Sequence, residues 1–257
     1  GLIFNQSQPR KQPMNTKTSI RLLLAGLLAL PIAAVGAPLV TPSLSGNTEY
    51  EGWEGLTAAN YPTYPGFPGT APWPSPIDSN ITGSAGNAGF DKISGGGYPG
   101  SASIYNFTVP GTYEVANSAP ITGLETVTLQ LDLGEGNSFF TATPVLSYNG
   151  GSQNLAPDFT ESGAGPTSFT NPQTGNPDTT TLFGYQWDLS GIGGPFTDYA
   201  IQWTSDAHAT TFNLRLDSSD DFSGNAITAV PEPASYATLL GLLALGSTFL
   251  RRRRRDS

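Results

Sequence analysis

The sequence predicts an all-β protein, an antiparallel two-sheet β-sandwich of jelly-roll type, with a signal helix at the N-terminus and a transmembrane helix at the C-terminus. The 31 Gly and 22 Pro residues make up about a fifth of the 257 residues, and they favour turns over long helices. Between the two ends no helical periodicity of useful length is present. Several segments instead alternate apolar and polar residues with the period of two that is typical of β-strands. Short strands joined by Gly- and Pro-rich turns are the pattern of a sandwich.

The N-terminal segment has the organisation of an export signal. Residues 1–13 precede the only methionine and are predicted to be a disordered extension. Residues 14–37 then have the order of a signal peptide: the basic Lys17 and Arg21, an apolar run over 22–30, and small residues. The apolar run is too short to span a bilayer. We therefore expect a cleaved signal that is recognised by the Sec export machinery.

Residues 38–100 are rich in Pro, Gly and aromatic residues, and we predict an irregular segment that packs on the sandwich. Within it, residues 61–74 alternate prolines with aromatic residues, which excludes a helix or a central strand. Two interpretations are open: the rings cover the sandwich, or they stack on sugar rings or enter a partner's groove. For glycan stacking the candidates are Trp53 and Trp73, which lie outside the alternating strands.

Residues 101–229 are predicted to form the core of the sandwich. Successive side chains of a strand point to opposite faces, so each alternating run has one apolar face for the core and one for solvent. The alternating runs predict strands at 127–133, 185–189, 199–203 and 212–216. Further strands are predicted at 103–109, 111–115 and 140–148. The turn dipeptide Asn149-Gly150 follows the last of these.

The charge of the body restricts the partners that it can bind. Only Lys92 and Arg215 are basic between residues 38 and 229, against 18 Asp and Glu, which gives a formal charge of −16. Such a surface repels phosphate backbones, so no nucleic-acid partner is expected. The chain has no Cys, which excludes disulfides, thiol chemistry and Cys-based zinc sites.

The sequence contains no recognisable catalytic constellation, so we expect neither an enzyme nor a bound cofactor. His208 is the only histidine, and no nucleophile motif accompanies it. The densest acidic loop contains Asp217, Asp220 and Asp221, whose oxygens are ligands of the kind that Ca²⁺ takes. The EF-hand spacing is not met there. Bound calcium and a solvated acidic turn are therefore both open for this loop.

The C-terminal residues 230–257 combine three features in order. The motif Pro231-Glu232-Pro233 comes first, and an apolar stretch of about seventeen residues follows it. The stretch ends at a basic cluster consisting of Arg251, Arg252, Arg253, Arg254 and Arg255. The apolar stretch is at the short end for a transmembrane helix, and the arginines hold that end in the cytoplasm. The body is therefore expected to face away from the cytoplasm.

This tail resembles the PEP-CTERM sorting family in its Pro-Glu-Pro motif, its apolar span and its terminal arginines, over about a tenth of the chain. The resemblance implies an exported protein of a Gram-negative bacterium, anchored transiently in the inner membrane. It also implies processing at or near Pro-Glu-Pro by an exosortase, a membrane transpeptidase. The implied destination is the cell surface or an exopolysaccharide matrix.

The residues and the resemblance predict an exported cell-surface or extracellular-matrix protein whose β-sandwich body has a structural or adhesive role. One alternative is a carbohydrate-binding, lectin-like module acting on exopolysaccharide, with Trp53 and Trp73 as the stacking rings. Another alternative is a secreted glycoside hydrolase, which needs two carboxyl groups at a defined separation.

Overall fold

The computed structural model describes residues 39–171 and 173–227, which form β-strands and loops without a helix. The all-β prediction is thereby confirmed. The strands are β1 Thr48–Trp53, β2 Ile77–Asp78, β3 Ala88–Gly95, β4 Tyr98–Pro99, β5 Ile104–Tyr105, β6 Gly111–Asn117, β7 Thr126–Gly134, β8 Phe140–Tyr148, β9 Phe159–Thr170, β10 Pro177–Asp188, β11 Tyr199–Ser205 and β12 Thr210–Ser219. The predicted signal and transmembrane helices lie outside these residues. Among the described residues no helix has the length and apolar character needed to cross a membrane.

The strands form two antiparallel sheets, as predicted. The seven-stranded sheet has the order β4-β5-β12-β7-β10-β9, with β1 as its seventh strand paired to β12, and the five-stranded sheet has the order β2-β3-β6-β11-β8. Strand β12 pairs with β5 through Thr210 and Thr211, and with β1 from Leu214 to Ser219. The jelly-roll connectivity stays a prediction.

The hydrophobic core draws large aromatic side chains from both sheets. Phe90 of β3 and Trp203 of β11 stack with ring centroids 5.9 Å apart and planes 3° apart. Tyr113 of β6 tilts against both rings, and the leucines of β7 and β12 are fully buried as well. Aromatic side chains bury large areas and add specific ring contacts, so this cluster is a main source of stability.

The predicted strands from residue 111 onward are confirmed, but the strand predicted at 103–109 is much shorter. Only Ile104–Tyr105 pairs there. The next residue, Asn106, is buried and turns its side-chain amide to the carbonyls of Ser205 and Asp206, at 3.2 and 3.1 Å. Its backbone N–H bonds the Ala209 carbonyl at 3.0 Å. The polar groups of Asn106 are therefore directed to a neighbouring loop, and the strand ends.

The segment 38–100, expected to be irregular, contributes strands to both sheets. Strand β1 pairs with β12 over six residues, and β3 pairs with β6 across a register shift between Lys92 and Ser94. Each strand places one large ring in the core, Trp53 and Phe90, both with 0 % exposure. Single aromatic residues among Gly and Pro do not produce the alternating pattern from which strands are predicted. Burial of one ring can nevertheless stabilise a short strand.

Strand β7 is buried on both faces, whereas its alternation predicted a solvent face. The segment 39–45 covers part of the outer face, where the Gln130 side-chain amide donates to the Val40 carbonyl at 2.5 Å. The β9–β10 hairpin covers the part around Asp132 through a 2.6 Å bond from the Thr167 hydroxyl. Gln130 and Asp132 of β7 therefore bond other protein groups instead of water, although Thr128 Oγ1 and Asp132 Oδ1 have no partner among the described residues.

Two buried charged side chains hold the long loops of residues 54–87 against the sandwich. Glu51, 2 % exposed, accepts bonds from Ser79 Oγ at 2.5 Å and from the backbone N–H groups of Gly86 and Asn87 at 3.0 and 2.6 Å. Lys92, 5 % exposed, donates to the carbonyls of three residues: Gly69, Ala71 at 2.7 Å and Gly97 at 3.0 Å. A loop rich in Pro and Gly is thus ordered by charged groups.

Candidate functional site

The two tryptophans expected to stack on glycans lie in the interior. Trp53 is 0 % exposed and donates its indole N–H to the Ile77 carbonyl at 2.8 Å. Trp73 is 7 % exposed, meets Phe90 edge-on at 5.5 Å, and donates to the Gly97 carbonyl at 3.3 Å. A stacking ring must present a free face to the sugar. The expectation therefore does not hold for these two rings, which belong to the core.

The acidic residues considered for calcium point to separate protein partners. Asp217 forms an ion pair with Arg215 at 2.7 Å, Asp220 accepts bonds from the Asn47 N–H and side-chain amide, and Asp221 accepts from Ser45 Oγ at 2.6 Å. In the described part of the chain no group of three or more Asp, Glu or His is placed to hold a metal ion. The loop instead fastens the segment 45–47 to the end of β12.

The environments of Asp217 and Asp220 shift the pKa values of these two acids in opposite directions. Burial raises the pKa of Asp217, and the Arg215 guanidinium beside it opposes that shift. The hydrogen bonds from Asn47 lower the pKa of Asp220. Asp220 thus stays ionised as the acceptor that fixes the chain before β1.

The predicted sorting residues Pro231, Glu232 and Pro233 and the arginines 251–255 lie outside the described residues. The structure does describe the segment that leads to them. Residues 224–227, here called the C-terminal strap, cross the outer face of the large sheet. The side chain of Gln186 on β10 binds the strap twice, donating to the Gly224 carbonyl at 2.7 Å and accepting from the Ala226 N–H at 2.8 Å. The body is therefore ordered to within four residues of Pro231.

The strap is also packed against the segment that begins the described chain. Ser43 donates its backbone N–H to the Ala226 carbonyl at 3.0 Å. Ile227, 5 % exposed, lies over Gly184 in an apolar depression that Val40, Pro42 and Leu182 help to line. Both ends of the body are thus fixed side by side on the outer face of one sheet.

An open cleft that could hold a ligand lies elsewhere on the large sheet. This cleft, here called the aromatic groove, has a volume of about 600 Å³. Its walls come from β4 and β5 with their connecting loop, from the end of β9, and from the start of β12. Small-molecule sites usually measure about 300–1,000 Å³. The groove is therefore of a size that takes a small ligand or a few units of a polymer.

Aromatic rings form the two sides of the groove. Tyr98 and Tyr105 meet edge-to-face on one side with centroids 6.1 Å apart, and Phe169 and Phe212 tilt against each other at 5.3 Å on the other. Tyr98, Tyr105 and Phe169 are half-buried, so each keeps part of its surface accessible. Burial raises the pKa of both Tyr98 and Tyr105, so both phenols stay protonated and remain donors.

Tyr105 is positioned by the turn that contains the only histidine of the chain. Its hydroxyl lies 2.8 Å from His208 Nδ1, and the ring centroids are 6.1 Å apart. His208 has a φ of 67° and donates its backbone N–H to the Asn106 carbonyl at 2.6 Å. Such a backbone conformation is uncommon for a residue other than Gly and persists only where its surroundings fix it. His208 therefore orients a groove tyrosine through a structural hydrogen bond.

The opposite wall of the groove is attached to a buried acid. Asp132 of β7, 0 % exposed, accepts bonds from Thr167 Oγ1 at 2.6 Å and Asn213 Nδ2 at 2.9 Å, while its Oδ1 has no partner among the described residues. Burial raises the pKa of Asp132, and the hydrogen bonds from its neighbours oppose that rise. Thr167 itself lines the groove, so its hydrogen bond to the Asp132 carboxylate helps to hold this wall in place.

Replacing Asp132 by Asn is expected to flatten the pH dependence of stability. Because the folded pKa is raised, the folded state binds a proton more tightly than the unfolded state, whose Asp pKa is about 3.9. Stability of the wild type should therefore fall as pH rises from about 4 through the folded pKa. Asp132→Asn should remove the part of this fall that Asp132 causes, as measured by urea unfolding across that range, whereas the part that Asp217 causes should remain. Glu135→Gln, an exposed acid three residues along, is the control; parallel curves for wild type and Asp132→Asn would contradict the expectation.

Comparison with known proteins finds one family match, at the C-terminus. Residues 229–255 match the model of the PEP-CTERM protein-sorting motif. No curated protein and no solved structure matches the chain. The resemblance seen in the tail is confirmed, and the motif marks an exported protein that an exosortase processes, with a membrane-anchored tail before processing.

Proposed function

We propose that this exported protein is displayed at the cell surface or in the extracellular matrix of a Gram-negative bacterium, where its β-sandwich has a structural or adhesive role. The observation that carries the proposal is the sorting motif at 229–255, which begins two residues after the buried Ile227. A body that is ordered up to its processing signal is suited to release or attachment as a folded unit. Export through the Sec machinery, directed by residues 14–37, is part of the proposal.

The test is the fate of the tail in a bacterium that has an exosortase. Wild-type protein should be recovered in a shortened form that protease can reach on intact cells. Replacement of Pro231, Glu232 and Pro233 by Ala should leave the full-length chain in the inner membrane, because prolines favour the extended backbone that an exosortase groove would bind. Asp256→Ala, beyond the arginine cluster, is the matched control. Retention of uncleaved wild-type protein in the inner membrane would refute the proposal.

A second candidate function, carbohydrate binding, is favoured by the aromatic groove. Half-buried rings beside exposed hydroxyl side chains form the kind of surface on which a sugar can stack and hydrogen-bond. The described residues that line the groove include no Asp or Glu, so it does not offer the two carboxyl groups that a glycoside hydrolase needs. We therefore favour a non-catalytic role for the groove, in which adhesion to exopolysaccharide is the adhesive function.

A further inference from the structure

The aromatic groove has rings on both sides, which limits the ligands that fit it. The partly positive C–H groups of a sugar face are attracted to the negative face of an aromatic ring, whereas its hydroxyl groups lie around the edge. Tyr98 and Tyr105 on one side and Phe169 on the other are half-buried at this cleft. A flat ligand with apolar faces and polar edges would complement this arrangement.

The groove also supplies uncharged hydrogen-bonding groups. Ser101, Ser168 and Thr170 line it with exposed side chains, and the hydroxyls of the two tyrosines add to them. A hydroxyl is a donor and an acceptor at once, so it can pair with a sugar hydroxyl in either direction. Side chains of this type match a ligand with many hydroxyls better than one with a single charged group.

The charges of the body decide between neutral and acidic ligands. Among the described residues, those that line the groove are neither acidic nor basic. The two basic side chains of the described residues are both engaged elsewhere, Lys92 with backbone carbonyls and Arg215 with Asp217. An anionic polymer would therefore meet no cation from this part of the chain in the groove and a net negative body around it, which disfavours its approach.

From these observations we infer that the aromatic groove binds a neutral polysaccharide, stacking sugar units between the Tyr98–Tyr105 pair and Phe169. This inference rests on the proposed surface function and specifies its ligand class. Because the cleft is open to solvent, a polymer can enter it from the surface. Acidic polysaccharides are disfavoured by the charge of the body.

The test uses affinity electrophoresis of the full chain, purified in mild detergent, through native gels that contain one polysaccharide each. The neutral probes are dextran, galactomannan and a mixed-linkage β-glucan, and the acidic probe is alginate. We expect retardation by at least one neutral probe and none by alginate. Tyr105→Ala should weaken that retardation about tenfold or more, as the loss of a central aromatic contact usually does.

Two further variants distinguish the loss of the binding site in the aromatic groove from the loss of the folded structure. Tyr105→Phe keeps the ring and should retain most of the binding. Tyr148→Ala removes a half-buried tyrosine that packs on Phe196 at 5.2 Å, outside the groove, and should bind as the wild type does. Absence of retardation by all three neutral probes, equal retardation by alginate, or full binding by Tyr105→Ala would each overturn the inference. Since none of these outcomes depends on tail processing, failure here is distinguishable from failure of the surface function.

Discussion

Replacing Lys92 by Met is expected to lower the free energy of unfolding by about 2–3 kcal/mol and to release the loop that contains Gly69 and Ala71. The buried ammonium donates to three backbone carbonyls, those of Gly69, Ala71 and Gly97. It also lies 6.0 Å from the centre of the Trp73 ring, a cation–π distance. Met keeps most of the length of the side chain and removes these interactions together.

Two opposing effects set the size of this loss. Burial of the ammonium is costly, as the lowered pKa of Lys92 indicates, so its removal recovers part of the free energy. Each carbonyl left without a donor costs about 1–3 kcal/mol, however, and of the three carbonyls that lose Lys92 the Gly97 carbonyl keeps a donor, the Trp73 indole. The second effect is the larger, which gives a net loss.

Urea unfolding and limited proteolysis measure the two consequences of this change. Lys92→Met should shift the unfolding midpoint and expose the loop around Gly69 to protease. Ile93→Thr is the control, because Ile93 is the next residue on β3 and is 48 % exposed. An unchanged midpoint together with an uncleaved loop would mean that the three carbonyls find other donors and that Lys92 does not hold the loop.

The sequence predicted well the strands in which apolar and polar residues alternate, including β7, which is buried on both faces. Strands β11 and β12 follow the alternation of their side chains closely, since Ile201 and Trp203, like Leu214 and Leu216, are buried at alternate positions. Strand β9 was not predicted, because its sequence lacks a clear alternation of apolar and polar residues. It lies at the edge of the large sheet, its side chains are half-buried or exposed, and Gly and Pro residues between 163 and 166 interrupt any alternation. The strand forms because β9 pairs with β10, and this pairing leaves no periodic pattern in the sequence.

The aromatic groove could not be predicted because its parts are distant in the sequence. Tyr105 lies on β5 and Phe169 on β9, which three strands separate in the sheet, and Phe169 reaches the groove through its contact with Phe212 of β12, the neighbour of β5. Trp53 and Trp73 were misassigned because neighbouring Pro and Gly residues indicate a loop without indicating its burial. A loop whose carbonyls are bound by a buried lysine can cover a core as closely as a strand does.

The tail itself was predictable, since its three features are local and ordered in the sequence. Its relation to the body was not, because Gln186 is one of many polar residues on alternating strands. In the structure this side chain is 0 % exposed and binds both Gly224 and Ala226. The sequence therefore indicates the processing signal. The structure shows that the residues before this signal are hydrogen-bonded to the folded body.

Replacing Gln186 by Ala is expected to speed removal of the tail in cells by about tenfold. Only Thr228, Ala229 and Val230 separate the buried Ile227 from Pro231, so the motif begins within about 14 Å of the folded body. A processing enzyme that grips an extended segment on both sides of the cleaved bond would meet the body at this distance. Release of the C-terminal strap should therefore precede or accompany cleavage.

The size of the effect follows from the two hydrogen bonds that Gln186 makes to the strap. Each contributes about 0.7 kcal/mol, and the two together contribute about 1.4 kcal/mol, which changes an equilibrium constant about tenfold. Without them the strap should open about ten times more often. Pulse-chase labelling of cells that have an exosortase measures the rate at which the full-length chain is shortened.

A spacer variant distinguishes the effect of the distance between the motif and the body from the effect of the stability of the strap. Insertion of a flexible Gly-Ser segment between Ala229 and Val230 leaves Gln186 and its bonds in place while it moves the motif away from the body. If the strap limits access, the spacer should speed processing as Gln186→Ala does, without any change in the unfolding midpoint. Faster processing of Gln186→Ala alone would point to general destabilisation, and unchanged rates in both variants would show that the folded body does not limit the enzyme. The expected result, in which both variants are processed faster, makes the strap the element through which folding of the body controls its own sorting.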